Sequence, residues 1–293
     1  MRAANAVFVG RKRRTPALSE LPLVGLRRAA ELVRGGLLFR FVYWAYERRL
    51  LAQLRCGTSP RHIGIILDGN RRYARQTGLL DIEKVYRRGA EKLDEVLDWC
   101  VELKIPAVTL LVFSTDNVNR SSDEVSGILA AVEKKLSALA LDPCTHRHRI
   151  RVQAIGRLEM LPRSVLTAIR TAEAATAAYD AMTLTIAVAY GGREEIVDSV
   201  RSLLRKEAAK GASLSSIVTS ITPEAIGQHL YSVLPDPDLI IRTSGEIRLS
   251  GFLLWQCVHS EFYFTDVPWP ALRKIDFLRA IRAYQGRDRR FGG

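Results

Sequence analysis

The chain lacks most of the features that would assign it at a glance. Its four cysteines, Cys56, Cys100, Cys144 and Cys257, are widely separated and form no Cys-x-x-Cys pair, and its histidines do not cluster. Neither a zinc site nor a disulfide framework is expected; reduced thiols in a cytoplasmic protein are. No run of about 18 apolar residues occurs, which argues against a membrane-spanning helix. The opening MRAANAVFVGRKRRT is basic but carries no long apolar core followed by a small-residue cleavage site, so no secretory signal is expected. There is no internal repeat and no low-complexity tract.

What is present is charge of one sign. Lys and Arg number 44 against 31 Asp and Glu, a formal net charge of +13. Such an excess implies an anionic partner: nucleic acid, an acidic membrane surface or a phosphorylated substrate. The arginines are scattered among apolar segments and build no recognised nucleic-acid-binding motif, so no nucleic-acid partner is expected. With 293 residues, 47% hydrophobic and 26% charged, the chain suits a large folded domain with an appendage.

The appendage is read as residues 1–58. Its first 20 residues are rich in Arg and small side chains and read as disordered. Residues 21–54 then mix apolar and Arg positions at helical spacing, with a break at Gly35-Gly36. Two readings stay open for that helix. It lies at a membrane surface, with Phe39, Phe41, Tyr43, Trp44 and Tyr46 toward the acyl boundary, or it packs on the body with its basic face in water.

From residue 59 the pattern changes. Short apolar runs at 62–67, 107–113, 150–155, 182–190 and 239–241 alternate with helical patterns near 83–104, 123–141, 163–179, 193–210 and 222–231. Strands alternating with helices imply an α/β fold, an open and largely parallel β-sheet flanked by helices on both faces. Ligands bind outside the carboxyl ends of such strands. The places to look are therefore Asp68-Gly69-Asn70-Arg71-Arg72, Ser114-Thr115-Asp116-Asn117, Gly191-Gly192-Arg193 and Arg242-Thr243-Ser244-Gly245-Glu246.

In the first of these a strand delivers an acid, a glycine and an amide to the start of a helix that opens with two arginines. A helix N-terminus suits a phosphate, and Gly69 lets the backbone approach it. Asp68 is a hard oxygen ligand suited to magnesium, and Arg72 can fork phosphate oxygens. A plain turn with an N-cap accounts for the same tripeptide. Further on, Arg242 and Arg248 flank a Thr-Ser-Gly loop followed by Ser250, a plausible diphosphate clamp. Glu261 reads either as a second magnesium carboxylate or as an ordinary surface acid.

DGNRRYA at 68–74, FSTDNVNR at 113–120, AYGGREE at 189–195 and the IRTSGEIRLSGFLLWQ block followed by Glu261 and Trp269-Pro270 resemble, in order, the signature motifs of the cis-prenyltransferase, or undecaprenyl diphosphate synthase-like, family. The likeness spans about residues 59–293, which makes that span the catalytic domain. It implies a transferase that joins isopentenyl diphosphate to an allylic diphosphate with magnesium as cofactor. It further implies that Asp68 is the essential magnesium-diphosphate aspartate and that Gly69, Asn70, Arg71, Arg72 and Tyr73 hold the allylic diphosphate. Ser114, Thr115, Asp116, Asn117, Val118 and Arg120 correspond to the second motif. Arg242, Arg248, Leu249 and Ser250 form the isopentenyl diphosphate clamp, with Glu261 as second metal ligand. Asn117 is named in the family as a proton acceptor; an amide is a poor base, and a positioning role fits it better. Arg290-Phe291-Gly292 resembles a tail that in related dimers approaches the neighbouring subunit's site, so a homodimer is expected.

The chain departs from the long-chain pattern at Val118, at Ala189 and at Asp81 and Tyr86 beside the allylic site. Val112, just before Phe113-Ser114, resembles the bulkier residue that short-chain members carry there. Within the family the chain is most similar to actinobacterial short-chain Z-isoprenyl (cis-farnesyl) diphosphate synthases, which implies geranyl diphosphate as primer and a (2Z,6E)-farnesyl product. A longer-chain polyprenyl synthase is the alternative, and Val112 also reads as plain strand core. A non-catalytic partner subunit typically loses the strand-end aspartate that Asp68 retains. A trans-prenyl synthase requires Asp-Asp-x-x-Asp pairs, which do not occur.

Overall fold

The computed structural model describes residues 40–79 and 81–287, and the chain divides into two compact units, Met1–Arg49 and Leu50–Gly293. The expected division stood at 58/59. The readings made for residues 1–39 and for Arg290-Phe291-Gly292 fall outside the described residues. In the first unit residues 40–49 are helical. Phe41 and Trp44 approach with ring centroids 5.8 Å apart, and the Arg48 guanidinium lies 5.0 Å over the Trp44 ring.

The second unit begins on helical residues 50–55 (α1), which bury Leu50, Leu51 and Leu54. It continues through β1 (His62–Ile66), α2 (Asn70–Thr77), α3 (Ile82–Glu102), β2 (Ala107–Ser114), α4 (Ser122–Leu139) and α5 (Pro143–Arg147). Then come β3 (Ile150–Ile155), α6 (Arg163–Thr176), β4 (Met182–Tyr190), α7 (Gly192–Ala209), α8 (Leu214–Ser220) and α9 (Pro223–Gly227). The unit closes with β5 (Leu239–Arg242), β6 (Glu261–Phe264) and α10 (Lys274–Gln285). The strands form one six-stranded sheet in the order β3-β4-β2-β1-β5-β6, and every pairing is parallel.

Local chemistry explains several boundaries. Asp81 caps α3 by accepting from the Lys84 backbone N–H at 3.1 Å, with Glu83 in the first turn. Asp142 caps α5, with Pro143 in its first turn, where a missing N–H costs nothing. All five residues of β1 are buried, as expected of a central strand covered on both faces. α10 shuts one side of the core with Ile275, Phe277, Leu278 and Ile281. Burial of each such side chain is worth roughly 1.5–3 kcal/mol.

The strand and helix runs read from the sequence all appear. β6, α5, α8 and α10 were not anticipated. Two features of the sheet matter for the site. The chain leaves β1 toward β2 on one side and later returns to β5 on the other, so the crevice beyond the carboxyl end of β1 is a topological switch point. In β2, Leu111 pairs with Ala187 and Phe113 with Val188. Val112 is thus the extra residue of a β-bulge, a distortion that re-aims a side chain.

Candidate active site

Asp68 emerges just beyond β1 and is fixed from behind by Thr243, which follows β5. Its N–H donates to Thr243 Oγ1 at 2.9 Å, and Thr243 Oγ1 donates to the Asp68 carbonyl at 2.7 Å. The carboxylate accepts from the Gly69 N–H (2.7 Å) and from Arg242 Nη2 (2.7 Å). Gly69 has φ 98°, a left-handed conformation, and a Cβ there would come within 2.7 Å of Ser244 and 2.9 Å of Pro268 Cα. Only glycine fits this crossing.

α2 starts immediately afterwards with no side-chain cap and no acid in its first turn, leaving its leading N–H groups for a ligand. Arg71 and Arg72 ride on that turn. Arg242 is almost fully buried and is aimed by Ser250 Oγ (2.8 Å), by the Arg248 carbonyl and by Asp68. Its Nε and the Oδ1 of Asn70 are buried without a hydrogen-bond partner, as polar atoms waiting for a ligand would be.

These groups line one polar pocket. Six guanidiniums face it (Arg71, Arg72, Arg75, Arg120, Arg242 and Arg248) against three carboxylates (Asp68, Asp116 and Glu246). An excess of cations in a recess focuses the field and selects a multiply charged anion. At Leu67, Asn70, Tyr86, Val112 and Ile128 the pocket joins a second, apolar chamber between the sheet, α3 and α4. Val112, turned by its bulge, stands at that throat. A site with a charged mouth and a hydrocarbon interior suits an amphiphile with an anionic head.

Behind the arginines sits Glu124, a buried acid of α4. It accepts from Arg71 Nε at 2.9 Å, from Arg120 Nη1 at 2.8 Å and from the Tyr86 hydroxyl at 2.8 Å. Burial pushes its carboxyl up, but the bonds from Arg71 and Tyr86 and the charge of Arg120 outweigh this, and the net direction is down. Burial, reinforced by Glu124, pushes the Tyr86 hydroxyl up, so it stays protonated and donates.

Asn117 Oδ1 accepts from the Ser114 N–H at 3.0 Å. That bond engages its carbonyl and leaves the amide N–H donors for the pocket, so Asn117 is arranged to donate.

Of the residues expected at the site, Asp68, Gly69, Asn70, Arg71, Arg72, Tyr86, Val112, Ser114, Asp116, Asn117, Arg120, Arg242, Arg248 and Ser250 converge on the pocket. Five others do not line it. Thr115 faces Gly191, Val118 points to solvent, Leu249 packs against the apolar cluster around Phe252, and Tyr73 lies outside the lining.

The fifth is Glu261, which begins β6 and pairs with Leu239. Leu239 in turn is level with Ile63 near the start of β1. Asp68 lies five residues further along, roughly 16 Å at 3.3 Å per residue. Glu261 and Asp68 therefore sit at opposite ends of the sheet and do not share a metal within one chain. Glu261 pairs with Arg287 instead.

The Gly191-Gly192 turn also stands off the pocket and acts as a buttress. Gly192 N–H donates to the Gly251 carbonyl at 2.9 Å, and the buried Glu195 accepts from Gln256 Nε2 (3.2 Å), the Tyr231 N–H (3.0 Å) and the Tyr190 hydroxyl. Burial raises the Glu195 carboxyl against these donors. Ser244 and Glu246, from the loop expected to border the site, line the pocket as well, whereas Arg75 and Glu124 were not anticipated. Arg75 follows Arg71 by four residues within α2, a spacing that puts the two on one helix face and could have revealed Arg75; Glu124, in the first turn of α4, meets Arg120 from the loop before that helix.

The family model described as putative undecaprenyl diphosphate synthase matches residues 66–292. An isoprenyl transferase of Deinococcus radiodurans is 54% identical over 261 residues, covering 88% of this chain and 93% of that one. A (2Z,6E)-farnesyl diphosphate synthase of Thermobifida fusca is 49% identical over 258 residues, covering 88% and 99%. Among solved structures, lavandulyl diphosphate synthase from Lavandula x intermedia, in complex with dimethylallyl diphosphate, superposes with a TM-score of 0.73. It is 33% identical and the match covers 80% of this chain and 99% of that one.

Proposed function

This chain belongs to the undecaprenyl diphosphate synthase family of cis-prenyltransferases, and on that footing we propose that it condenses isopentenyl diphosphate with a short allylic diphosphate, geranyl by preference, to a (2Z,6E)-farnesyl product. The observation that carries this reading is the single pocket in which two sets of guanidiniums and an uncapped helix start surround Asp68, while the throat at Val112 leads into a hydrocarbon chamber. The allylic diphosphate sits on the start of α2 with Arg71 and Arg72, because Asn70 and Tyr86 beside it also line the chamber that takes the prenyl tail. Isopentenyl diphosphate sits on Arg242, Arg248 and Ser250.

In the reaction the allylic C–O bond breaks, diphosphate leaves, and the isopentenyl double bond attacks the freed allylic carbon. Loss of one proton then sets the cis double bond. Fixed guanidiniums and N–H groups stabilise the charge growing on the leaving diphosphate without having to reorganise. Asn117 positions the isopentenyl group by donation, and the proton passes to released diphosphate or a nearby phosphate oxygen.

Asp68 fits a magnesium ion of the kind that takes one carboxylate plus substrate phosphates; among the described residues no group of three or more potential ligands gathers that would bind a metal without substrate. When bound, such an ion neutralises diphosphate charge. Glu261, remote from Asp68 in its own chain, supports a homodimer in which a second copy brings its acid near the site.

Among the described residues no helix is long and apolar enough to cross a membrane. Phe41, Val42 and Trp44 are 62%, 58% and 52% exposed beside Arg40, Arg48 and Arg49, which supports a cytoplasmic enzyme that touches a membrane surface through this helix.

The test is incubation of purified enzyme with labelled isopentenyl diphosphate and geranyl or farnesyl diphosphate, with product sizing. A farnesyl-sized product from geranyl diphosphate is expected, lost on chelation of divalent metal and in Asp68→Ala. Full turnover by folded Asp68→Ala overturns the assignment. Long polyprenyl products as the main output replace the short-chain reading with the longer-chain one.

A further inference from the structure

The apolar chamber does not end at Val112. Past the throat it runs between α3 and α4, lined by Gly89, Ala90, Leu93, Ala131, Val132 and, as its one ammonium-bearing side chain, Lys135. Ala131 and Lys135 are four residues apart on α4, and Ala90 and Asp94 four apart on α3, so the two pairs face each other across the helix crossing. Lys135 is only 14% exposed, and its ammonium pairs with Asp94, which is 55% exposed.

On the far side of the same two helices lies an outer groove. Ala90, Ala131 and Lys135 line both it and the chamber. Ala130 and Ala138 extend its floor, and Glu83, Arg87, Glu91, Asp94 and Lys134 rim it. The partition between hydrocarbon interior and surface is therefore two methyl groups and the stem of one lysine. That stem can face the chamber because its charged head is held outside by Asp94, the arrangement long cationic side chains adopt at apolar boundaries. An ammonium turned inward against a hydrocarbon tail would be desolvated without a partner, which is costly.

We propose that Lys135, pinned by Asp94, is a product-length determinant, the end wall against which the growing prenyl tail stops, and that removing its stem opens a way from the chamber to the alanine-floored groove between α3 and α4. The inference rests on the prenyl-transfer reading above and deepens it. Val112 sets the width of the throat; Lys135 sets the depth beyond it.

The experiment sizes the products that wild type, Lys135→Ala and Lys135→Met make from labelled isopentenyl diphosphate and geranyl diphosphate, with circular dichroism and a melt for each. Lys135→Ala is expected to lengthen the longest product by at least one isoprene unit. Lys135→Met, whose unbranched side chain keeps the bulk, is expected to hold the wild-type length. Should Lys135→Ala fail to fold, Ala131→Leu, which fills the same partition, is expected to shorten the product. A wild-type product profile from folded Lys135→Ala overturns the proposal, as does equal lengthening by both Lys135 variants or, where Lys135→Ala cannot be folded, an unshortened product from Ala131→Leu. No prenyl product from the wild-type enzyme would instead sink the underlying reading.

Discussion

Replacing Glu124 by Gln tests the electrostatic frame of the pocket directly. In the native protein one carboxylate oxygen accepts from Arg71 Nε, Arg120 and Tyr86, and the other from Arg71 Nη2. A glutamine carbonyl can keep the three bonds to the first oxygen, but without charge, and its NH2 then meets the Arg71 fork donor to donor. Hydrogen bonds to charged groups are worth about 1.5–3 kcal/mol each, yet Arg71 is well exposed and water screens its loss.

A net cost of about 2 kcal/mol follows, which for a unit of this size lowers Tm by roughly 4–8 °C. The Glu124 carboxyl titrates below its ordinary value in the folded state. The stability it provides is therefore complete above the unfolded value of about 4.5 and drains away as pH falls through the folded one. The gap in Tm between wild type and variant should be widest near neutrality and should narrow as the pH falls from about 4.5 through the lowered folded value, beyond which wild type carries a neutral acid much like the amide. With Arg71 no longer held, KM for the allylic diphosphate should rise about threefold to tenfold, with a smaller change for isopentenyl diphosphate. Melts across pH and initial rates with each substrate varied measure both. Equal melting temperatures at neutral pH together with an unchanged allylic KM would refute the reasoning.

Val112→Ala widens the throat and should lengthen the product by chain-length chromatography; an unchanged profile would show that the bulged valine does not meet the tail. Arg242→Lys keeps the charge but loses the fork that spans Asp68, Ser250 and the Arg248 carbonyl, so kcat/KM for isopentenyl diphosphate should fall by at least about tenfold, and a wild-type value would remove Arg242 from the clamp. Glu195 has its carboxyl raised by burial, so its favourable contribution is full below about pH 4.5 and is lost as pH rises through the raised folded value. Glu195→Gln should accordingly melt no lower than wild type at neutral pH. Glu195→Ala strands three buried donors and should cost about 2–4 kcal/mol; equal melts for the two variants would contradict that account.

Much of the fold was legible because its signals are local. β1 to β5 announce themselves as apolar runs, and α3, α4, α6 and α7 as apolar positions at helical spacing, since burial selects side chains residue by residue along an element. β6 is only four residues, Glu261–Phe264, and its partly exposed side chains give neither a buried run nor a clean alternation. α10 was legible in principle from Ile275, Leu278 and Ile281.

The sequence by itself determined the α/β alternation, the polar loops that follow the strands and the ordered motifs that mark the family, all of which lie within a few residues of the elements that use them. Tertiary structure decided the rest. Parallel pairing in the order β3-β4-β2-β1-β5-β6 brings Asp68 and Arg242, 174 residues apart, to a contact of 2.7 Å, and the same register carries Glu261 to the opposite end of the sheet. The bulge at Val112 exists only against β4, and Lys135 meets Asp94 only where α3 crosses α4. Register and helix crossing are long-range choices made by the whole core, and no window of sequence contains them.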